Sequence, residues 1–150
     1  MKKILFLTAI MAIIVGFVLV GGGVWGIVFT YQNIAQEKIV TPADAAIPNQ
    51  PVRGPLTLKA QADIIRTHVL KITGGQSYAE MPRQIPKLDS TGNPVLDEAG
   101  EEVMIQNEAR ELWVTALTLI NALNLGIITY VFSGLIVLLG LISIWTGITF

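Results

Sequence analysis

One histidine and one cluster of carboxylates are the groups through which this sequence would act on a substrate, if it acts on one. His68 lies in the stretch RTHVLKITGGQSYAEM, residues 66–81. A nucleophilic triad would need it paired with a hydroxyl and a carboxylate, and a proton-relay role would need a partner to orient the ring. On a helix its facing positions are Ile64, Ile65, Lys71 and Ile72, so no carboxylate or second imidazole on that face orients it or shares a metal with it. The spacing predicts a histidine at the boundary of an apolar stripe. A pH-responsive contact is the functional alternative, because a neutral imidazole gains charge near pH ~6.5.

The carboxylates Asp89, Asp97, Glu98, Glu101 and Glu102 fall within two adjacent octets, LDSTGNPV and LDEAGEEV, which read as an internal duplication of residues 88–103. Calcium is the cation such a cluster invites. An EF-hand loop places acidic or amide ligands at alternate positions before its glycine and a glutamate at the twelfth, and this stretch does neither. Each octet instead sets apolar residues around an Asp-x-x-Gly turn. That pattern predicts a solvated β-meander with short strands near Pro86 to Leu88, Val95 to Leu96 and Val103 to Ile105. Glu80 and Glu108 read as surface charge. The run GGGVWG lacks the lysine and the following Ser/Thr of a phosphate loop. With no cysteine there is no disulfide or thiolate site. The expectation is a protein with no metal, no cofactor and no catalytic residue.

The elements that carry these groups follow from the charge pattern. The chain has 150 residues, 52% hydrophobic and only 14% charged, against about a quarter charged in an ordinary soluble domain. Lys2 and Lys3 sit at the amino end, every other ionisable side chain lies between Glu37 and Glu111, and two uncharged blocks flank that segment. Ile4 to Phe29 is long enough to cross a hydrocarbon core of ~30 Å as a helix. The first small-x-small site, Ala43-Asp44-Ala45, lies well beyond the apolar run, so an uncleaved anchor is expected rather than a signal peptide. The second block, Leu112 to Phe150, exceeds one span. Tyr130 and Trp145 stand like interfacial aromatic belts and place its membrane portion at residues 125–147. Neither span holds an Asp, Glu, Lys, Arg or His, which argues against a proton or ion pathway built by this chain alone.

Between the blocks, TPADAAIPNQPVRGP reads as an extended linker. Leu58, Ala62, Ile65, Val69 and Ile72 recur at helical spacing, and Gly74-Gly75 supplies the stop. This helix, residues 57–73, must bury its stripe. The choices are Ile34, Trp113, Leu117 and Ile120 of this chain, or a partner protein met by Ile65, His68, Val69, Ile72, Tyr78 and Met81. In the apolar blocks, Gly126, Ser133, Gly140 and Gly147 recur every seven residues, and Ala12, Gly16, Gly23 and Thr30 form a stripe in the first block. Small residues in register predict close helix packing, between the two blocks or in self-association.

The stretches RTHVLKITGGQSYAEM and NEARELW, set between an anchor and a glycine-punctuated span, resemble a group of short bacterial two-span membrane proteins over residues 61–83 and 107–147. Members of that group often carry a label as a subunit of an aromatic ring-opening dioxygenase. A non-haem iron site of that kind takes two histidines and a carboxylate, and this chain has one histidine.

The resulting expectation is a mainly α fold: a membrane helical hairpin of two transmembrane helices, with a small extracytoplasmic helical segment and a short β-meander. Residues 1–3 are a cytoplasmic amino terminus, 4–29 the first span, 30–124 extracytoplasmic (helices 57–73 and 107–124, repeat 88–103), 125–147 the second span, and 148–150 cytoplasmic. Lys2 and Lys3 set that orientation. The central segment holds 8 basic and 11 acidic residues, which gives no reason to expect nucleic acid as a partner. The function expected is that of a non-enzymatic accessory or scaffold subunit of a membrane or cell-envelope complex in contact with lipid. The alternative is an extracytoplasmic ligand-binding or sensing module.

Overall fold

The computed structural model describes residues 2–150 and is mainly helical. In chain order the elements are α1 (Lys2–Gln36), α2 (Pro55–Ile72), β1 (Gln84–Pro86), β2 (Met104–Gln106) and α3 (Glu108–Thr149). Of the three helices among the described residues, α1 and α3 are long and apolar enough to span a membrane. The chain divides into two compact units, Met1–Ala62 with Ala122–Phe150, and Asp63–Asn121.

In the first unit α1 and α3 pack antiparallel. A β-carbon built on Gly147 would meet the carbonyl oxygen of Ala9, one on Gly140 that of Gly16, and one on Gly23 that of Ser133, so numbers fall along one helix as they rise along the other. α3 is a single helix of 42 residues. The helix expected over residues 107–124 and the segment 125–147 into which it was expected to feed are thus one continuous helix. No proline interrupts the segment, and Asn121 and Asn124 do not by themselves stop a helix. α1 likewise runs past Phe29 to Gln36.

The proline-rich stretch expected to be an extended linker is a closed loop. Its hub is Thr41, which is buried. The Thr41 N–H donates to Gln50 O, the Asn49 N–H donates to Thr41 O, and the Gln50 N–H donates to the Thr41 hydroxyl, each at 3.0 Å. The Val52 N–H reaches Ile39 O at 2.9 Å. Lys38 and Asn49 take positive φ to make the two reversals. Prolines limit the unfolded alternatives of such a loop, and one buried hydroxyl satisfies its interior backbone groups. Gly54 then caps α2, with Pro55 at the first helical position and the Thr57 hydroxyl accepting from the N–H groups of Arg53 and Gly54. Leu58 is buried against Gly126.

In the second unit, Val69, Met81, Trp113 and Ala116 form a buried cluster, with Ile65, Leu70, Ala109 and Leu117 packed on it. β1 and β2 pair antiparallel, Gln84 opposite Gln106, Ile85 opposite Ile105 and Pro86 opposite Met104. The two octets do not make the three-stranded meander expected from them. Each folds back on a single bridge, Leu88 with Pro94 and Leu96 with Glu102. The Lys87 N–H donates to Val103 O, Val95 to Lys87 O, and Val103 to Val95 O, at 2.8, 2.8 and 2.9 Å. Three residues at intervals of eight thus close a ring of backbone hydrogen bonds, which explains the octet period. The turns are too tight for longer strands: in each, the aspartate carboxylate accepts from backbone N–H groups two and four residues on, and Gly92 (φ 87°) or Gly100 (φ 82°) reverses the chain.

Candidate functional site

Helix packing brings small residues together first. Gly16, Gly23, Thr30, Ser133, Gly140 and Gly147 are buried, and Ala12 and Gly126 are half-buried. A β-carbon on Gly140 would lie 2.7 Å from Gly16 O, and one on Gly16 would lie 2.7 Å from Gly140 O. Each glycine therefore faces the other's carbonyl, the arrangement in which Cα–H···O contacts form across helices. Gly126 differs from the rest. It faces the side chains of Leu58 and Ile34. The first-helix heptad is Ala9, Gly16, Gly23 and Thr30 rather than one beginning at Ala12, since Ala9 O is what Gly147 meets. Ala9 was missed by the sequence reading although it stands seven residues before Gly16. Ala12 instead accepts a hydrogen bond at its carbonyl from the Ser143 hydroxyl, at 2.8 Å.

The stretch 66–81 wraps Trp113. Thr73 ends α2, and Gly74 (φ 62°) and Gly75 (φ 85°) turn the chain so that the Gly75 N–H reaches Leu70 O at 2.7 Å. That turn presents Gln76 O to the Trp113 indole N–H, which donates to it at 2.9 Å. The Thr73 hydroxyl lies 2.7 Å from the same carbonyl. Met81 follows into the core under Trp113. Among the side chains expected to meet a partner, Val69 and Met81 are buried in this cluster and Ile65 packs against it. Those three serve the chain's own core, because Trp113 supplies an apolar surface large enough to cover them. Ile72 is 67% exposed, and His68 and Tyr78 are exposed too.

Beside that core lies an open cleft of about 510 Å³ lined by Tyr78, Arg83, Gln84, Gln106, Asn107, Arg110, Glu111 and Val114. Three local features build it. Asn107 caps α3, its side-chain oxygen accepting from the Ala109 N–H at 3.1 Å while its amide donates to Pro82 O at 3.0 Å. The first turn of α3 then sets Arg110, which donates to Met81 O at 2.7 Å with its guanidinium 4.0 Å from the centre of the Tyr78 ring. The ladder puts Gln84 directly opposite Gln106, on the same face. Hydrogen bonding and charge from Arg110, with a smaller contribution from Arg83, lower the Tyr78 pKa from its ordinary value. The sequence reading missed this cleft. Its residues come from two stretches, 78–84 and 106–114, which the long-range pairing of 84–86 with 104–106 helps to bring together.

The two aspartates of the octets, Asp89 and Asp97, are spent on their own turns. Asp89 accepts from the Thr91 hydroxyl at 2.7 Å, from the Thr91 N–H at 2.8 Å and from the Asn93 N–H at 3.0 Å, and these bonds hold its pKa below the usual carboxylate value. Glu80 is lowered likewise by the N–H and hydroxyl of Ser77. Among the described residues no group of three or more His, Asp or Glu side chains is placed to hold a metal ion. No family model, curated protein or solved structure matches this chain.

Proposed function

We propose that α1 and α3 cross a membrane as an antiparallel hairpin, with both termini cytoplasmic and residues 30–124 outside. On this reading the protein is a non-enzymatic accessory or scaffold subunit of a larger membrane or cell-envelope assembly. The observation that carries it is the inversion of the helix pair. Glycine, alanine and serine lie inside, while Phe6, Phe17, Trp25, Phe132 and Trp145 are each more than 60% exposed outside. In water so large an apolar surface would aggregate. In lipid it costs nothing, and helices associate through the close packing that small residues allow. Lys2 and Lys3 support the orientation.

The cleft's lining, which includes Tyr78, Arg83, Gln84, Gln106, Arg110 and Glu111, offers hydrogen-bond donors and acceptors. The cleft also favours a second reading, an extracytoplasmic binding module on the same hairpin. Purification of the tagged protein from its membrane in mild detergent, reading particle mass and co-purifying chains together, separates the two. A stoichiometric hetero-complex is expected for the subunit; a lone monomer or homo-oligomer would move the function to the binding module.

A further inference from the structure

We infer that the cleft between the first turn of α3 and the β1–β2 ladder binds a small hydroxylated oxyanion, of the sugar-acid or sugar-phosphate kind, through Arg83 and Arg110. The inference does not depend on the hairpin's topology or on the identity of any partner protein.

The two arginines are the first ground. A planar guanidinium with its fork of N–H donors matches carboxylate and phosphate oxygens two at a time. Arg110 is already ordered for that task, stacked 4.0 Å over Tyr78 and bonded to Met81 O, so ligand binding need not freeze a mobile side chain. Those contacts use a minority of its five N–H groups. Arg83 and Arg110 both line the cleft, the two cations there beside a single carboxylate, Glu111. Two arginines lining one concavity favour an anionic ligand.

The rest of the lining sets the remainder of the ligand. Gln84 and Gln106, paired across the ladder, offer two amides able to donate and accept, which suits hydroxyl groups. Glu111 at the same cleft accepts from a hydroxyl and disfavours a ligand carrying acidic groups all round. A volume of about 510 Å³ admits a molecule of one or two sugar rings.

The test uses the full chain in detergent and reads the side-chain Nε–H signals of its four arginines, Arg53, Arg66, Arg83 and Arg110, by nuclear magnetic resonance. Probes are inorganic phosphate, galacturonate and neutral galactose at constant ionic strength. A further arm places the protein in nanodiscs of phosphatidylcholine with and without phosphatidylglycerol, whose head group shares the phosphate and hydroxyls. Arg83 and Arg110 should shift saturably with an oxyanion, while Arg53, over Tyr31, and Arg66, over Trp113, stay put. Saturation by galacturonate or phosphate identifies a soluble ligand; a shift produced by phosphatidylglycerol alone identifies a lipid head group. Arg83→Gln should weaken the binding about tenfold, the effect of losing a charge-assisted hydrogen bond. Arg110→Gln also loses the Met81 bond, so Arg83→Gln is the decisive variant, with the Trp113 signals as its folding control. The same drift at all four arginines, or no saturable shift in any arm, would overturn the assignment.

Discussion

Replacing Gly140 by isoleucine puts a direct local demand on the helix pair. The β-carbon alone would sit 2.7 Å from Gly16 O and 2.8 Å from Val20 N, against the 3.4 Å at which ordinary contact begins. The helices must therefore part locally by at least about 0.7 Å before the rest of the side chain is accommodated. Both obstacles are backbone atoms, which cannot rotate away, so the cost belongs at the upper end of overpacking penalties, about 3 kcal/mol, or roughly a hundredfold in the equilibrium for the closed pair. Gly134→Ile is the matched control, since nothing lies within 4 Å of a β-carbon there. Because the chain has no cysteine, Ala12→Cys with Ser143→Cys reports closure directly, those residues already being joined by a hydrogen bond. Gly140→Ile should slow oxidation of that pair by tenfold or more, and Gly134→Ile should leave it unchanged. Equal rates in all three backgrounds would refute the packing reasoning.

Trp113→Phe removes the donor to Gln76 O from a nearly closed site and should lower thermal stability by about 1–3 kcal/mol, read as a fall in Tm while helix content at low temperature is kept. Gly75→Ala forces a side chain into φ 85° and should cost about 1–2 kcal/mol, whereas the same change at Gly54, whose β-carbon meets nothing, should cost less. The lowered pKa of Asp89 makes its turn most stable with the carboxylate charged. Its contribution is complete above the ordinary carboxyl value near ~3.9 and is lost as pH falls through the lower folded value. Amide exchange at Thr91 and Asn93, normalised for intrinsic rate, should stay protected from pH 6 down to about that ordinary value and open only below it.

Local pattern and long-range pairing divide what sequence reading recovers. The helices are readable because their signal is local: an uncharged run, a 3.6-residue stripe, a Gly-Gly stop. The heptad of Gly126, Ser133, Gly140 and Gly147 is readable for the same reason, and three of its four positions lie buried on α1. Gly126 carries no mark in sequence that it faces Leu58 and Ile34 instead. The octets show where the same reasoning stops. Their period of eight is visible, but it encodes a ring of single hydrogen bonds among Lys87, Val95 and Val103 rather than strands, since the turn chemistry of Asp89 and Asp97 leaves no residues for a ladder. The arginine cleft is unreadable from sequence because Tyr78, Arg83 and Arg110 share no motif. They meet only after Trp113 has fixed the loop at Gln76 and Asn107 has tied α3 to Pro82.

Membrane insertion as a hairpin is the claim on which the proposed function stands, and cysteine labelling tests it most directly. Ser90→Cys and a cysteine added after Phe150 are treated in intact cells with a membrane-impermeant maleimide, and the membranes are then extracted with alkaline carbonate. The hairpin requires Ser90→Cys to label from outside, the added cysteine to label only after lysis, and both proteins to stay with the membrane. Labelling of the terminal cysteine in intact cells, or release of the protein by carbonate, would contradict it.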